Sequence, residues 1–283
     1  MIHEKISISL KGYPEASLYT YFWDESRELY PGQTRPVILI CPGGGYEMTS
    51  DREAEAIAIK FLSMGYHTAV LRYSVSPSRY PTALLQAAES IRLLRENADK
   101  WKIRANQIVI MGFSAGGHLA ASVGTLYKKA EIYEALGIAP EQLRPDGMIL
   151  CYPVITSGEF AHEGSFRNLL AEKYDAEKEE MSLENQVDAH TPPAFLWHSF
   201  ADTVVPVENS LFFVNAMRKA GVPVEFHLYP EGAHGIGLAG ELTANSDGTG
   251  IERTCDTWSS LAGKWLNRYY PWWKPEESEK PLH

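Results

Sequence analysis

No uninterrupted apolar run in the sequence approaches the roughly 20 residues that a membrane-spanning helix needs. The opening segment MIHEKISISLKGYPEAS has no apolar stretch long enough for a secretion signal, so a cytoplasmic protein is expected. Cysteine is scarce: Cys41, Cys151 and Cys255 are odd in number and widely spaced, which argues against a disulfide framework and for reduced, buried thiols. Basic residues are in deficit, 26 Lys and Arg against 36 Asp and Glu, for a formal net charge of −10. That balance argues against nucleic acid or an anionic membrane as the main partner. No two histidines stand three or four residues apart, so the paired-histidine metal pattern is absent. Gly43-x-Gly45 is followed by Met48 where a dinucleotide fingerprint needs glycine, and no G-x-x-x-x-G-K-[ST] occurs. No cofactor and no metal is expected. Internal repeats, low-complexity tracts and dividing linkers are missing too.

What the sequence has is apolar material for a sizeable core, 45% hydrophobic residues against 22% charged. Lys5–Leu10 and Leu18–Trp23 look like strands around a turn at Gly12-Tyr13-Pro14-Glu15; in the first, Ile6, Ile8 and Leu10 alternate with polar residues. Val37–Cys41 is instead a continuous apolar run, as in a strand covered on both faces. Strands and helices then alternate. Strands are expected at His67–Arg72, Gln107–Met111, Gly147–Cys151, Ala194–His198 and Val224–Tyr229. Ser50-Asp51-Arg52-Glu53 resembles a capping box opening a helix to about Met64. Further helices are expected near Thr82–Asp99, Ala115–Tyr127, Glu208–Ala220 and Cys255–Asn267. The alternation predicts an α/β fold: a mainly parallel sheet, helices on both faces, and an antiparallel N-terminal edge. Residues 1–273 are expected to form a single domain with a cap-like insertion at about 152–191. The charged segment 274–283 is expected to be a solvated tail.

The chemistry concentrates in Gly112-Phe113-Ser114-Ala115-Gly116, with a buried strand before it and a helix after it. So sharp a strand-to-helix turn needs small flanking residues and presents Ser114 Oγ at a helix N-terminus. A serine hydroxyl needs a base, and in this strand–turn–helix context the chain order is serine, acid, histidine. Of nine histidines, His234 in the loop after the last expected strand is the candidate, while His118 on the elbow helix is expected to pack. Asp202, after the penultimate strand, can accept the imidazole Nδ1–H. Cys41-Pro42-Gly43-Gly44-Gly45-Tyr46 follows the first buried strand, where backbone amides of Gly44 and Gly45, with that of Ala115, can receive an oxyanion. Tyr46 is a candidate substrate contact.

The PGGGY loop, Gly112-Phe113-Ser114-Ala115-Gly116-Gly117-His118-Leu119-Ala120, Pro192-Pro193-Ala194-Phe195-Leu196, Asp202-x-x-Val205-Pro206 and Gly232-x-His234-Gly235 together resemble the acetyl xylan esterase-like branch of the α/β-hydrolase superfamily. The likeness runs from about Val37 to the final helix. It implies a serine carboxylesterase acting on short-acyl esters, with acetylated sugars or xylo-oligosaccharides as substrates. Pro42 departs from the histidine of HGGG-type loops, which puts the support of that loop in question. An arylformamidase-like amidase, a small serine peptidase and a non-catalytic binding protein on the same scaffold are the alternatives. The expected partner is a small ester, not nucleic acid or membrane, and a homo-oligomer is compatible with the sequence.

Overall fold

Strands made of unbroken aliphatic runs persist only where both faces are covered, and such runs form the centre of one eight-stranded sheet. The computed structural model describes residues 1–274, so all of the expected tail but Lys274 lies outside the described residues. The strands are β1 (Lys5–Ile8), β2 (Ala16–Tyr21), β3 (Arg35–Cys41), β4 (His67–Arg72), β5 (Ile103–Phe113), β6 (Gly147–Cys151), β7 (Ala194–Ser199) and β8 (Val224–Tyr229). They lie in the order β1-β2-β4-β3-β5-β6-β7-β8. β1 and β2 pair antiparallel with each other and β2 antiparallel with β4, and every other pair is parallel.

The helices are α1 (Glu55–Leu62), α2 (Thr82–Glu96), α3 (Ala98–Trp101), α4 (Ala115–Leu126), α5 (Ala130–Leu136), α6 (Glu163–Leu170), α7 (Tyr174–Glu177), α8 (Glu208–Lys219) and α9 (Trp258–Tyr269). Strand side chains alternate between faces, so a run buried on both sides divides its residues between two cores. Leu39 and Ile110 pack with Leu85 and Ile91 of α2, Leu119 of α4 and Phe213 of α8. Ile38, Ile40 and Met111 pack with Ile57 and Phe61 of α1 and with Trp258 and Trp265 of α9. Each such aliphatic side chain contributes about 1.5–3 kcal/mol when fully buried. Among the described residues no helix is long and apolar enough to cross a membrane.

Local expectations differ from what forms at several points. The helix expected from Ser50 begins only at Glu55, because the capping-box donor is already used: Ser50 N–H donates to Gly43 O (2.9 Å), and the Glu53 carboxylate turns inward. The helix expected over Thr82–Asp99 breaks at Asn97 into α2 and α3. α5 forms in a stretch with no helix expected, closed by Gly137 in the left-handed conformation (φ 65°). In the segment 152–191, Phe166, Leu169, Tyr174, Met181 and Leu183 are buried in the same core as α2 and α4. Its backbone is stitched to α8 by Asn209, whose Oδ1 accepts from the amides of Ile155 (2.8 Å) and Thr156 (3.0 Å).

Candidate active site

β5 runs into α4 through one residue, Ser114, which sits at φ 52° and ψ −122°. A non-glycine residue held there stores strain of order 1–3 kcal/mol, and its neighbours must over-determine the turn. They do. Ser114 N–H donates to Cys151 O (3.0 Å), and Ser114 O accepts from the amides of His118 (3.1 Å) and Val154 (3.0 Å). The flanking glycines are forced by contact: a Cβ on Gly112 would lie 2.0 Å from Gly116 O, and one on Gly116 would lie 2.1 Å from Cys41 O.

Ser114 Oγ lies 2.7 Å from His234 Nε2, and His234 Nδ1 lies 2.6 Å from Asp202 Oδ2. The Nδ1–H donates to the carboxylate, which leaves the Nε2 lone pair facing the serine hydroxyl. Asp202 Oδ1 accepts from the amides of Val204 (2.9 Å) and Val205 (3.0 Å). Burial alone would raise the Asp202 carboxyl, but hydrogen bonding from His198 and His234 and the charge of His234 outweigh it and hold the group well below the usual carboxylate range. His198 Nε2, 3.4 Å from Oδ2, also donates to Val205 O (2.9 Å), which anchors the acid's loop. A carboxylate kept ionised beside an oriented imidazole is what removal of a hydroxyl proton requires.

In the loop after β3, Gly44 and Gly45 take positive φ, 127° and 65°, which glycine adopts without a Cβ penalty. Gly43 N–H is occupied by Glu53 Oε2 (2.7 Å), whereas the amides of Gly44 and Gly45 have no partner among the described residues. The amide of Ala115, first in α4, has no carbonyl one turn back within its helix. Those three amides are the expected oxyanion donors, and the structure brings the segments that carry them to the same cleft.

Tyr46 is a correction. Instead of facing substrate it is 3% exposed, and its hydroxyl donates to His118 Nδ1 (3.0 Å). The physical reason is the turn after Gly45, which points the ring into the core against Tyr73 and His118. His118 in turn donates through Nε2 to Met181 O (2.9 Å), and burial pushes its imidazole down to about 4, so it packs as a neutral ring. The cleft, about 490 Å³ and open, is lined by Ser114 and His234 together with Gly44, Gly45, Met48, Arg52, Glu53, His162 and Val204. Glu53, Met48 and His162 carried no sequence signal for this place. A more enclosed cavity of about 280 Å³ lies at the amino ends of β3 and β4, beside Arg35 and His67, away from Ser114.

A parallel sheet with an antiparallel edge, a strained strand-to-helix serine and a histidine–aspartate pair from the later strand ends place the chain in the α/β-hydrolase superfamily. The chain belongs to the BD-FAE family, whose model matches residues 29–217. It is 39% identical over 212 residues to endo-1,4-beta-xylanase B of Butyrivibrio fibrisolvens, covering 73% of this chain and 33% of that protein. To an acetylxylan esterase of Xylanibacter ruminicola it is 34% identical over 204 residues, covering 70% of this chain and 40% of the other. The matches thus span about a third to two-fifths of those relatives. Among solved structures, an acetyl ester-xyloside bifunctional hydrolase from Caldicellulosiruptor lactoaceticus is similar with TM-score 0.79 and 38% identity, over 94% of this chain and 96% of that one. A carboxylesterase from Lactobacillus plantarum is similar with TM-score 0.83 and 27% identity, over 95% and 98%.

Proposed function

We propose that the chain is a serine-dependent carboxylic ester hydrolase that removes short acyl groups, acetyl above all, from acetylated sugars or xylo-oligosaccharides. The observation that carries the serine mechanism is the unbroken chain Ser114 Oγ–His234 Nε2 (2.7 Å) and His234 Nδ1–Asp202 Oδ2 (2.6 Å). Ser114 Oγ attacks the ester carbonyl while His234 takes its proton, and the Asp202 carboxylate stabilises the imidazolium that results. The oxyanion is received by the amides of Gly44, Gly45 and Ala115. His234 then protonates the leaving alcohol, and water activated by the same imidazole releases the acid from the acyl-serine. The sugar half is supported by the names of the relatives, an acetylxylan esterase and an acetyl ester-xyloside hydrolase. Three unpaired, buried thiols fit a reducing compartment such as the cytoplasm.

The test is hydrolysis of 4-nitrophenyl acetate, butyrate and octanoate beside peracetylated xylose, with Ser114→Ala as control. Acetate and sugar deacetylation are expected, both falling by about 10⁶ in kcat in the variant. Near-normal turnover by Ser114→Ala would refute the serine mechanism, and cleavage of formyl amides in preference to acetyl esters would move the chain to the amidases.

A further inference from the structure

Glu53 is a carboxylic acid only 3% exposed, held by neutral groups. A buried carboxyl is costly unless both oxygens are hydrogen-bonded. Burial pushes this one above its ordinary range against the opposing pull of its hydrogen bonds and of His234 and Arg52. The bonds it makes are specific. Oε2 accepts from Gly43 N–H (2.7 Å), at the head of the glycine loop. Oε1 accepts from the Tyr152 hydroxyl (2.7 Å), whose oxygen accepts in turn from Gly237 N–H (3.0 Å), three residues past His234. Tyr152 also sets its ring edge-on to the His234 imidazole, 5.0 Å between centroids. One carboxylate therefore joins the loop after β3, the residue after β6 and the loop that carries the histidine. By consuming the Gly43 amide it also decides which loop amides remain free, those of Gly44 and Gly45. Contact there is close: a Cβ on Gly43 would meet Glu53 Oε2 at 2.6 Å and Ser114 Cβ at 2.9 Å. Pro42 stands where HGGG-type loops have histidine, so loop support comes from elsewhere: Glu53 on the Gly43 amide and the Tyr73 hydroxyl on Pro42 O (2.6 Å).

We propose that Glu53 is a positioning residue for ester hydrolysis: it orients the Gly43–Gly45 amides against Ser114 and, through the Tyr152 hydroxyl, fixes the loop that presents His234. The inference rests on the serine-esterase reading above. An error of about 1 Å in such donors costs on the order of 10²-fold in rate, and loss of one donor costs about 10²–10³. A merely structural role would instead appear in stability alone, and a role in the cleft wall would appear in KM.

The experiment compares wild type, Glu53→Gln, Glu53→Ala, Tyr152→Phe and Ser114→Ala by steady-state kinetics on 4-nitrophenyl acetate, inhibition by phenylboronic acid as a tetrahedral mimic, and thermal melting. Glu53→Ala should lower kcat by about 10²-fold with KM within about threefold, because donors aimed at the transition state are lost and ground-state contacts are not. Boronate inhibition should weaken in parallel. Glu53→Gln keeps one acceptor oxygen for two donors and should recover part of the loss, ending about 10-fold below wild type. Should Glu53→Ala not fold, Glu53→Gln and Tyr152→Phe decide, each expected to lose kcat with KM nearly constant. Wild-type kcat in folded Glu53→Gln, or a change confined to KM, overturns the proposal while an inactive Ser114→Ala leaves the serine reading standing. Turnover surviving Ser114→Ala overturns both.

Discussion

Gly116 separates a steric account of the elbow from one based on helix propensity, because the two predict opposite signs for Gly116→Ala. In open space an Ala for Gly exchange inside a helix stabilises by up to about 1 kcal/mol. At Gly116 the new Cβ would lie 2.1 Å from Cys41 O, 2.4 Å from Pro42 O and 2.7 Å from the Pro42 carbonyl carbon, all backbone atoms. Relief needs the end of β3, or the elbow, to retreat by about 1 Å, at a typical overpacking cost of about 2–3 kcal/mol. The net is about 1–2 kcal/mol of destabilisation. At about 2–4 °C per kcal/mol for a chain of this size, the midpoint should fall by about 2–8 °C. The atoms displaced are those that lead into Gly43–Gly45, so kcat on 4-nitrophenyl acetate should fall by about 10²-fold as the amides leave their line to Ser114. Gly240 supplies the control: its φ is −134° and a Cβ there meets nothing within 4 Å, so Gly240→Ala should stay within about 0.5 kcal/mol of wild type. A Gly116→Ala protein that melts at or above wild type with undiminished kcat would refute the reasoning.

Asp202→Asn preserves shape but supplies an amide where the imidazole N–H needs an acceptor, so kcat should fall by about 10⁴ with the fold intact. Because the folded state holds Asp202 below its ordinary value of 3.8, its contribution to stability is full above that pH and is lost as pH falls through the folded value. The Asn variant should lack that acid-side dependence in a melting series. Tyr46→Phe removes the donor to buried His118 Nδ1 and should cost about 1–3 kcal/mol in urea unfolding, with KM unchanged. A rise in KM would restore Tyr46 to the substrate side.

Much of the architecture was legible because runs such as Val37–Cys41 and Gln107–Met111 carry their burial in their composition, and the serine motif is tied to a strand before it and a helix after it. The positions of Asp202 and His234 followed from chain order once the strands were placed. Glu53 was illegible for a definite reason. Ser50-x-x-Glu53 satisfies a local capping pattern, and only the folded chain shows that a tertiary donor, the Gly43 amide, captures the carboxylate instead. Tyr46 was misplaced because nothing beside it in the sequence marks its hydrogen-bond partner, His118, which lies 72 positions further along. The short helix at Ala130–Leu136 has only Ile132 fully buried, too little apolar periodicity to stand out.

The segment between β6 and β7 is grafted onto the chemistry as well as onto the core. Asn168 Nδ2 donates to Gly45 O (2.9 Å), and Met181 O receives the N–H of His118 on the elbow helix. An engineer who exchanges this segment will therefore also remove a hydrogen bond from the loop whose amides are proposed to receive the oxyanion. On the proposed mechanism, substrate range and turnover are tied to the same hydrogen bonds, so variants that broaden the substrate range should be screened for compensating changes at the glycine loop from the outset.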